Sequence, residues 1–537
     1  MRIHRNAALF LLALSPVTPA QLLGQGTGHG DHGSDGTQDG VPLYQDLGDH
    51  HYPIAGADEK VQAYFDQGLR LYYAFNHAEA VRSFQEARRL DPDCAMCAWG
   101  EALALGPNIN MPMDSASGVQ AYHVVRDALG LLDDDTPPRE AAMVRALATR
   151  YERVPQADRS QLDQAYAEAM KDVVDRFSYD LEAGVLYAES LMDLRPWDYW
   201  TEDGQPQPGI EEALEHLESV QTADSQHPGA CHFFIHAVEK LYPERAVPCA
   251  ERLADLMPGA GHIVHMPGHI YIRVGRYEDA IKANEHAVHA DESFIQDQRP
   301  GLTVYTAGYY PHNYDFLAFA AMMLGREEQS IEAAKQVEAL IPNEMFGQHG
   351  MDFLEHWSIR PLLVQVQFKK WEDVLNVAAP PVERSHARAI WHYAQGRALV
   401  GTGKLDRAKE ELDYLRQVSA DAAGSGKRME FNASADLLQI AEFVLSGWVE
   451  AGAGRFEPAL EKLSEAVRLE DALLYGEPPE WTVPVRHDLG EVLLLAGQPE
   501  AAMRVFEADL KRFPKNYWSA DGVTRARRQI ERGPQFK

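Results

Sequence analysis

From about residue 57 onward, apolar residues recur three and four positions apart in short stretches, and Gly, Pro, Asn or Asp punctuates the joins. That period predicts amphipathic α-helices joined by tight turns, and period-two alternation, the mark of a strand, is sparse. The helices are expected in pairs. Gly68, Ala80, Phe84, Ala87 and Pro92 set one frame: a small residue in a first helix, Ala and a large apolar residue in a second, then a closing Pro. A small residue lets two helices approach closely, and Pro stops a helix because it cannot continue the hydrogen-bond ladder. The frame returns at Gly268, Gly275, Tyr277, Ala280 and Ala287, at Ala318, Gly325 and Pro342, and at Gly396, Gly403 and Ala408. It returns again at Gly447, Gly454, Ala459 and Ala466, and at Gly490, Gly497, Ala502, Phe506 and Pro514.

This recurring set resembles the tetratricopeptide repeat, a helix–turn–helix unit of about 34 residues. The resemblance covers most of residues 57–516. It implies an all-α fold, a tetratricopeptide-like helix-pair solenoid (an α–α superhelix) with a concave groove lined by the first helix of each pair. It also implies that the second, fifth, ninth, twelfth and thirteenth places of each repeat face that groove. The expected organisation is a signal peptide over residues 1–20, a flexible leader over 21–56, an N-terminal array over 57–346 and a C-terminal array over 350–537, with a break near Gly347 to Gly350. Two stretches depart from the frame, Gly106 to Pro112 and the Trp-rich insertion Leu194 to Gly209, and long loops in a repeat array often gather on one face.

Charge and the chain's start then narrow the setting. The 537 residues carry a formal charge of -31, with 45% hydrophobic and 24% charged residues. Such an acidic chain is poorly suited to nucleic-acid backbones or anionic membranes and well suited to cations or basic partners. Arg2, His4 and Arg5, the apolar run Ala7 to Leu14 and the small residues up to Ala20 read as a secretory signal, so the expected location is periplasmic or secreted. No segment is long and apolar enough to span a membrane. The four cysteines, Cys94, Cys97, Cys231 and Cys249, are even in number and suit disulfides in an oxidising compartment. Cys94 and Cys97 form a CxxC without the His of a haem-attachment motif.

The chemistry-bearing feature lies between His227 and His312. His232, His236 and Glu239 stand at i, i+4 and i+7, and His262, His265 and His269 at i, i+3 and i+7. Each set shares a helix face within roughly 60°. His312 and Asp315 open the following repeat. The repeat register turns His262, His265, His269, His312 and Asp315 to the groove, and a one-residue shorter turn brings His232, His236 and Glu239 there too. Neutral imidazole is the commonest ligand for zinc, copper, iron or nickel. The expectation is therefore a transition-metal site, copper or zinc foremost, built from His232, His236, Glu239, His262, His265, His269 and His312. Pro267 falls inside the helix that should carry His265 and His269, and an interior Pro bends a helix at a cost of about 3 kcal/mol.

Softer candidates are His487 and Glu491 beside Arg486, Asn108 and Asn110 in their loop, and Trp197 and Trp200. His77 reads as structural, and His349, His356, His386 and His392 show no ligand spacing. Two function classes follow. One is a metalloprotein, with hydrolysis or oxidation at an open metal position if it is an enzyme. The other is a non-enzymatic extracytoplasmic scaffold that takes a peptide, protein or small molecule in its groove. Fold alone does not choose between them.

Overall fold

A computed structural model describes residues 41–348, 350–424 and 426–532. The expected signal segment, the leader as far as residue 40, and His349 lie outside the described residues. Those described are helical throughout, with only isolated β-bridges such as Asn108 to Met111 among the connections. No described helix is long and apolar enough to cross a membrane. The described residues form two compact units, residues 41–237 with 255–260, and residues 238–254 with 261–532. The chain passes between them after residues 237, 254 and 260, whereas the expected break lay near Gly347 to Gly350.

In the first unit the leading pair is Glu59–Tyr73 and His77–Leu90. Asp58 caps the first of these by accepting from the backbone N–H groups of Lys60 and Val61, which satisfies two donors that would otherwise have no partner. Phe84 of the second helix is fully buried. A Cβ on Gly68 would lie 2.7 Å from its ring, and one on Gly100, in the next helix Ala95–Ala104, 2.3 Å. The repeat frame thus has a packing cause: one large ring wedged between two glycines. Further helices follow as Ser115–Gly130, Pro138–Ala148, Ser160–Arg176, Leu181–Asp193 and Ile210–Ala223.

Residues 41–56, expected as the end of a flexible leader, are instead packed onto this unit. Leu47, Tyr52 and Ile54 are buried. Tyr52 Oη donates to Asp180 at 2.8 Å, Tyr44 Oη donates to Glu79 at 2.8 Å, and Gln67 accepts from Tyr44 N at 2.8 Å. Apolar and aromatic anchors decide the matter over the Gly- and Asp-rich composition around them. Cys94 and Cys97 are joined by a disulfide, and no described cysteine is free.

The second unit repeats the same logic. Its core runs through Leu363, Tyr393, Leu399, Leu437, Val444, Leu463, Trp481 and Phe506. A buried carboxylate, Glu470, receives the backbone N–H of Val485 at 3.1 Å and so holds the start of the helix Val485–Leu495. Burial pushes Glu470 up to about 7, against the opposing pull of Arg512 and Arg486. A carboxyl whose pKa is higher folded than unfolded binds more protons in the native state, so its contribution to stability is present at low pH and is lost as pH rises through about 4.5 to 7. Glu470→Gln keeps an acceptor for Val485 and removes that titration. Compared by urea melts at pH 5 and pH 8, the variant should gain on the native chain by on the order of 3 kcal/mol as pH rises, and a pH-independent difference would contradict the assignment.

Candidate metal centre

The expected ligands fall in both units, and each unit is described by itself. In the first, His232 and His236 lie a turn apart in the helix Pro228–Val238, their ring centroids 5.0 Å from each other and both buried. His232 Nδ1 is 2.6 Å from the carbonyl oxygen of Tyr73. A carbonyl only accepts, so Nδ1 carries the proton and Nε2 keeps its lone pair. Phe75 packs beside both imidazoles, and the Trp197 ring stands edge-on to His236 at 5.1 Å. Trp200 Nε1 donates to Ala237 O at 2.8 Å, so the Trp-rich insertion packs on the array.

In the second unit the expected single helix is broken. Gly261–His265 and Pro267–Arg273 are separate helices, with Met266 between them still in right-handed helical geometry. Pro267 takes the first turn of the second helix, where its missing N–H costs little. The facing of His265 and His269 survives, because Met266 N donates to His262 O at 3.1 Å and His269 N to Met266 O at 3.2 Å.

His265, His269 and His312 come together, with one nitrogen of each within 4.8 Å of the others. His265 Nε2 and His269 Nε2 are 3.0 Å apart. Asn284 settles the tautomer of His265. Its Nδ2 donates to Ala280 O at 2.8 Å, which leaves Oδ1, 2.7 Å from His265 Nδ1, as the acceptor. The proton of His265 is therefore on Nδ1, and Nε2 presents a lone pair to His269. On the far side of His269, Nδ1 is 3.0 Å from Glu477 Oε2 and 3.3 Å from Glu239 Oε2. Tyr475 donates to the other oxygen of Glu477, and Arg273 lies 3.6 Å from it.

Burial sets the charge of these groups. It pushes His265 down to about 4, with the Asn284 bond opposing. It holds His312 well below the usual histidine range, helped by His265 and Arg360. Burial pushes Glu477 up to about 8, and burial together with Glu477 raises Glu239. Phe316, one turn beyond His312, touches all three imidazoles, its ring centroid 4.5, 4.6 and 5.0 Å from those of His265, His269 and His312. Burial thus keeps His265 and His312 neutral, and Asn284 fixes the orientation of His265 within an aromatic wall. The 3.0 Å between the two Nε2 atoms is the length of an N–H···N hydrogen bond in which His265 Nε2 accepts.

His262 stands beside this trio, its ring 5.8 Å from His265 and 4.6 Å from Tyr309, with its backbone N–H donating to Tyr305 Oη at 3.2 Å. Asp315 pairs with the buried Arg360 at 3.0 Å. His487 and Glu491 do not share a pocket: His487 binds Asp509 at 3.0 Å, while Glu491 pairs with Arg525 and Arg486 with Asp471. His77 accepts no ligand role either, lying 3.0 Å from Ala104 O and 3.3 Å from Asn108 Nδ2. Asn108 closes its own turn by accepting from Asn110 N and Met111 N.

Three groupings escaped the sequence reading. Asn284 had a signal: it stands sixteen residues after Gly268, where the other repeats carry Phe84, Leu412, Leu463 and Phe506. His356 and His386 form a buried chain, Ser434 Oγ to His386 Nδ1 at 2.8 Å, His386 Nε2 to His356 Nδ1 at 2.9 Å, and His356 Nε2 to Glu480 O at 2.7 Å. Every nitrogen in it is occupied, which makes it structural. In the first unit, His50 and His227 lie 3.2 and 3.4 Å from Glu182 at the wall of a cavity of about 640 Å³. Ala230 N donates to His227 Nδ1 at 3.3 Å, which turns Nε2 toward Glu182, and His50, Glu182 and His227 each offer a ligand atom within 4.8 Å of the others. These residues come from segments with no common period.

Fold and site together define an all-α, tetratricopeptide-like helix-pair solenoid that carries a buried imidazole cluster with carboxylates behind it. No family model matches the chain. No curated protein matches it either. Among solved structures it is similar to yeast Tom70, at 12% identity over 88% of this chain and 90% of that one with a TM-score of 0.29. It is similar to the tetratricopeptide domain of P58(IPK), at 12% identity over 89% and 99% with a TM-score of 0.23. It is similar to the human IFIT1 dimer with m7Gppp-AAAA, at 11% identity over 89% and 92% with a TM-score of 0.34. Scores of this size carry nothing about function.

Gly268 is what lets Asn284 reach the site. A Cβ there would lie 2.8 Å from Asn284 Nδ2 and 3.4 Å from Phe316. Gly268→Ala should therefore cost about 1–3 kcal/mol in urea unfolding, and a neutral substitution would show that this contact is slack.

Proposed function

We propose that the chain is a tetratricopeptide-like scaffold that holds a transition-metal ion, copper or zinc, on His265, His269 and His312. The observation that carries this reading is the 3.0 Å approach of two imidazole Nε2 atoms, one of them a lone pair fixed by Asn284. Zn–N bonds of about 2.0–2.1 Å let one ion replace the shared proton with little movement. Glu477 behind His269 supplies the carboxylate–histidine arrangement that orients ligating imidazoles and raises their basicity. Asn284 does the same for His265. Burial keeps His265 and His312 neutral, the form that binds metal. Purified chain analysed by elemental mass spectrometry should contain at least one copper or zinc per molecule, and His265→Ala with His312→Ala should lose it while keeping native helicity by circular dichroism. A native chain that is metal-free and does not take up added Zn(II) or Cu(II) tightly would end this reading and leave a binding scaffold for a peptide or protein partner.

We also propose that the chain is exported. The basic start at Arg2, His4 and Arg5, the apolar run Ala7 to Leu14 and the small residues before Gln21 support this. The mature protein should fractionate with extracytoplasmic material and begin at Gln21 by N-terminal sequencing. Recovery of an uncut chain from the cytoplasm would refute it.

A further inference from the structure

We infer that His269 bridges two metal ions, the first on His265, His269 Nε2 and His312, the second on His269 Nδ1, Glu239 and Glu477. The inference rests on the reading that the trio holds a metal, and adds a second ion to it. Its ground is that both nitrogens of one ring face a complete donor set. On the Nε2 side stand His265 Nε2 at 3.0 Å and His312. On the Nδ1 side stand Glu477 Oε2 at 3.0 Å and Glu239 Oε2 at 3.3 Å, and these three atoms also lie within 4.8 Å of one another. A single N–H donates one good hydrogen bond. To orient His269, one carboxylate is enough. Here two carboxylate oxygens, supplied from chain positions far apart, converge on the same nitrogen.

The rest of the pocket is arranged to turn those oxygens inward. Tyr475 donates to Glu477 Oε1, and Arg273 approaches the same Oε1 at 3.6 Å, so Oε2 is the oxygen left facing the imidazole. Arg273 also donates to the backbone carbonyls of Glu239 and Lys240 at 3.3 and 3.0 Å, which ties the Glu239 segment to the same point. The two sites differ in chemistry. Three imidazole nitrogens suit copper or zinc, and one nitrogen with two carboxylate oxygens suits a harder divalent transition ion such as zinc or manganese while still accepting copper. When the second dication binds, the proton on Nδ1 is released to solvent, and His269 becomes an imidazolate with a metal on each nitrogen.

The test is a titration of metal-stripped chain with Cu(II) alone, followed by electron paramagnetic resonance. The first copper should bring its full spin intensity. The second should remove intensity, because two copper ions joined by an imidazolate couple antiferromagnetically. In Glu477→Gln, which keeps the side-chain shape but removes the anionic ligand, the first copper should bind about 10–100-fold more weakly yet still bring its full spin once the site is filled, and the drop should vanish. Circular dichroism confirms that the variant is folded, and the native chain's own spin count does not depend on it. Copper bound elsewhere adds intensity and cannot imitate the drop. Uptake with no loss of intensity at any loading overturns the bridge and leaves the single-metal reading standing. Failure of the native chain to bind copper at all overturns both.

Discussion

In several repeats two helices close on one another where a glycine meets a large side chain, and the packing around them depends on that contact. Phe84 is wedged against Gly68 and Gly100, and Phe506 against Gly490 and Gly522, with would-be Cβ positions between 2.3 and 2.7 Å from the rings. Leu463 sits against Gly447 in the same way, at 2.7 Å. These contacts let the helices approach closely and give each such pair a buried seam that neither helix could form alone. They also determine which residues of neighbouring first helices are within reach of each other, and so whether imidazoles on one can meet imidazoles on the next.

The site is made by altering that contact at one repeat. Where Phe84 and Phe506 fill the seam, the repeat beginning at Gly268 carries Asn284. A buried amide in place of an aromatic ring is costly unless its hydrogen bonds are met. Asn284 meets them with Ala280 O and His265 Nδ1. A packing position has thereby become an orienting one, and the lost aromatic bulk is returned from the other side by Phe316, which touches His265, His269 and His312 at once. One substitution within the repeat frame accounts for the fixed tautomer of His265, and the apolar wall accounts for its neutrality.

The helix pairs were legible because small and large residues recur at fixed separation, and the imidazoles were legible because helical spacing puts i, i+3, i+4 and i+7 on one face. What was not legible arises where the period stops. Glu477 comes from an irregular segment 208 residues beyond His269, and nothing in its neighbourhood points back. The packed stretch 41–56 was hidden by composition, since Tyr44, Leu47, Tyr52 and Ile54 are spaced without regularity. Pro267 signalled a break correctly in kind, but the break falls at Met266 and leaves both flanking imidazoles on one side, because Pro is harmless in a helix's first turn. Asn284 was readable in principle as a departure from the frame; reading the frame for what it shares conceals such departures.

Charge explains why the carboxylates lie so deep. A dication on the imidazole trio, as proposed, would gain no neutralising charge from uncharged rings, and in a medium of low dielectric that charge is costly to bury. Anions at the protein surface are separated from the pocket by water and screened there, so the acidity of the chain as a whole does not help. Glu239 and Glu477 are almost fully buried and lie within 3.3 Å of the imidazole nitrogen that turns away from the trio. Burial drives both toward their protonated forms, with the charge of Glu477 adding to the effect on Glu239 and Arg273 opposing it in each. Paired buried acids are a poor way to stabilise a helix array, whereas hydrophobic side chains of the same volume would serve it better. Arg273, 3.6 Å from Glu477, and the Tyr475 hydroxyl that donates to it offset part of that cost.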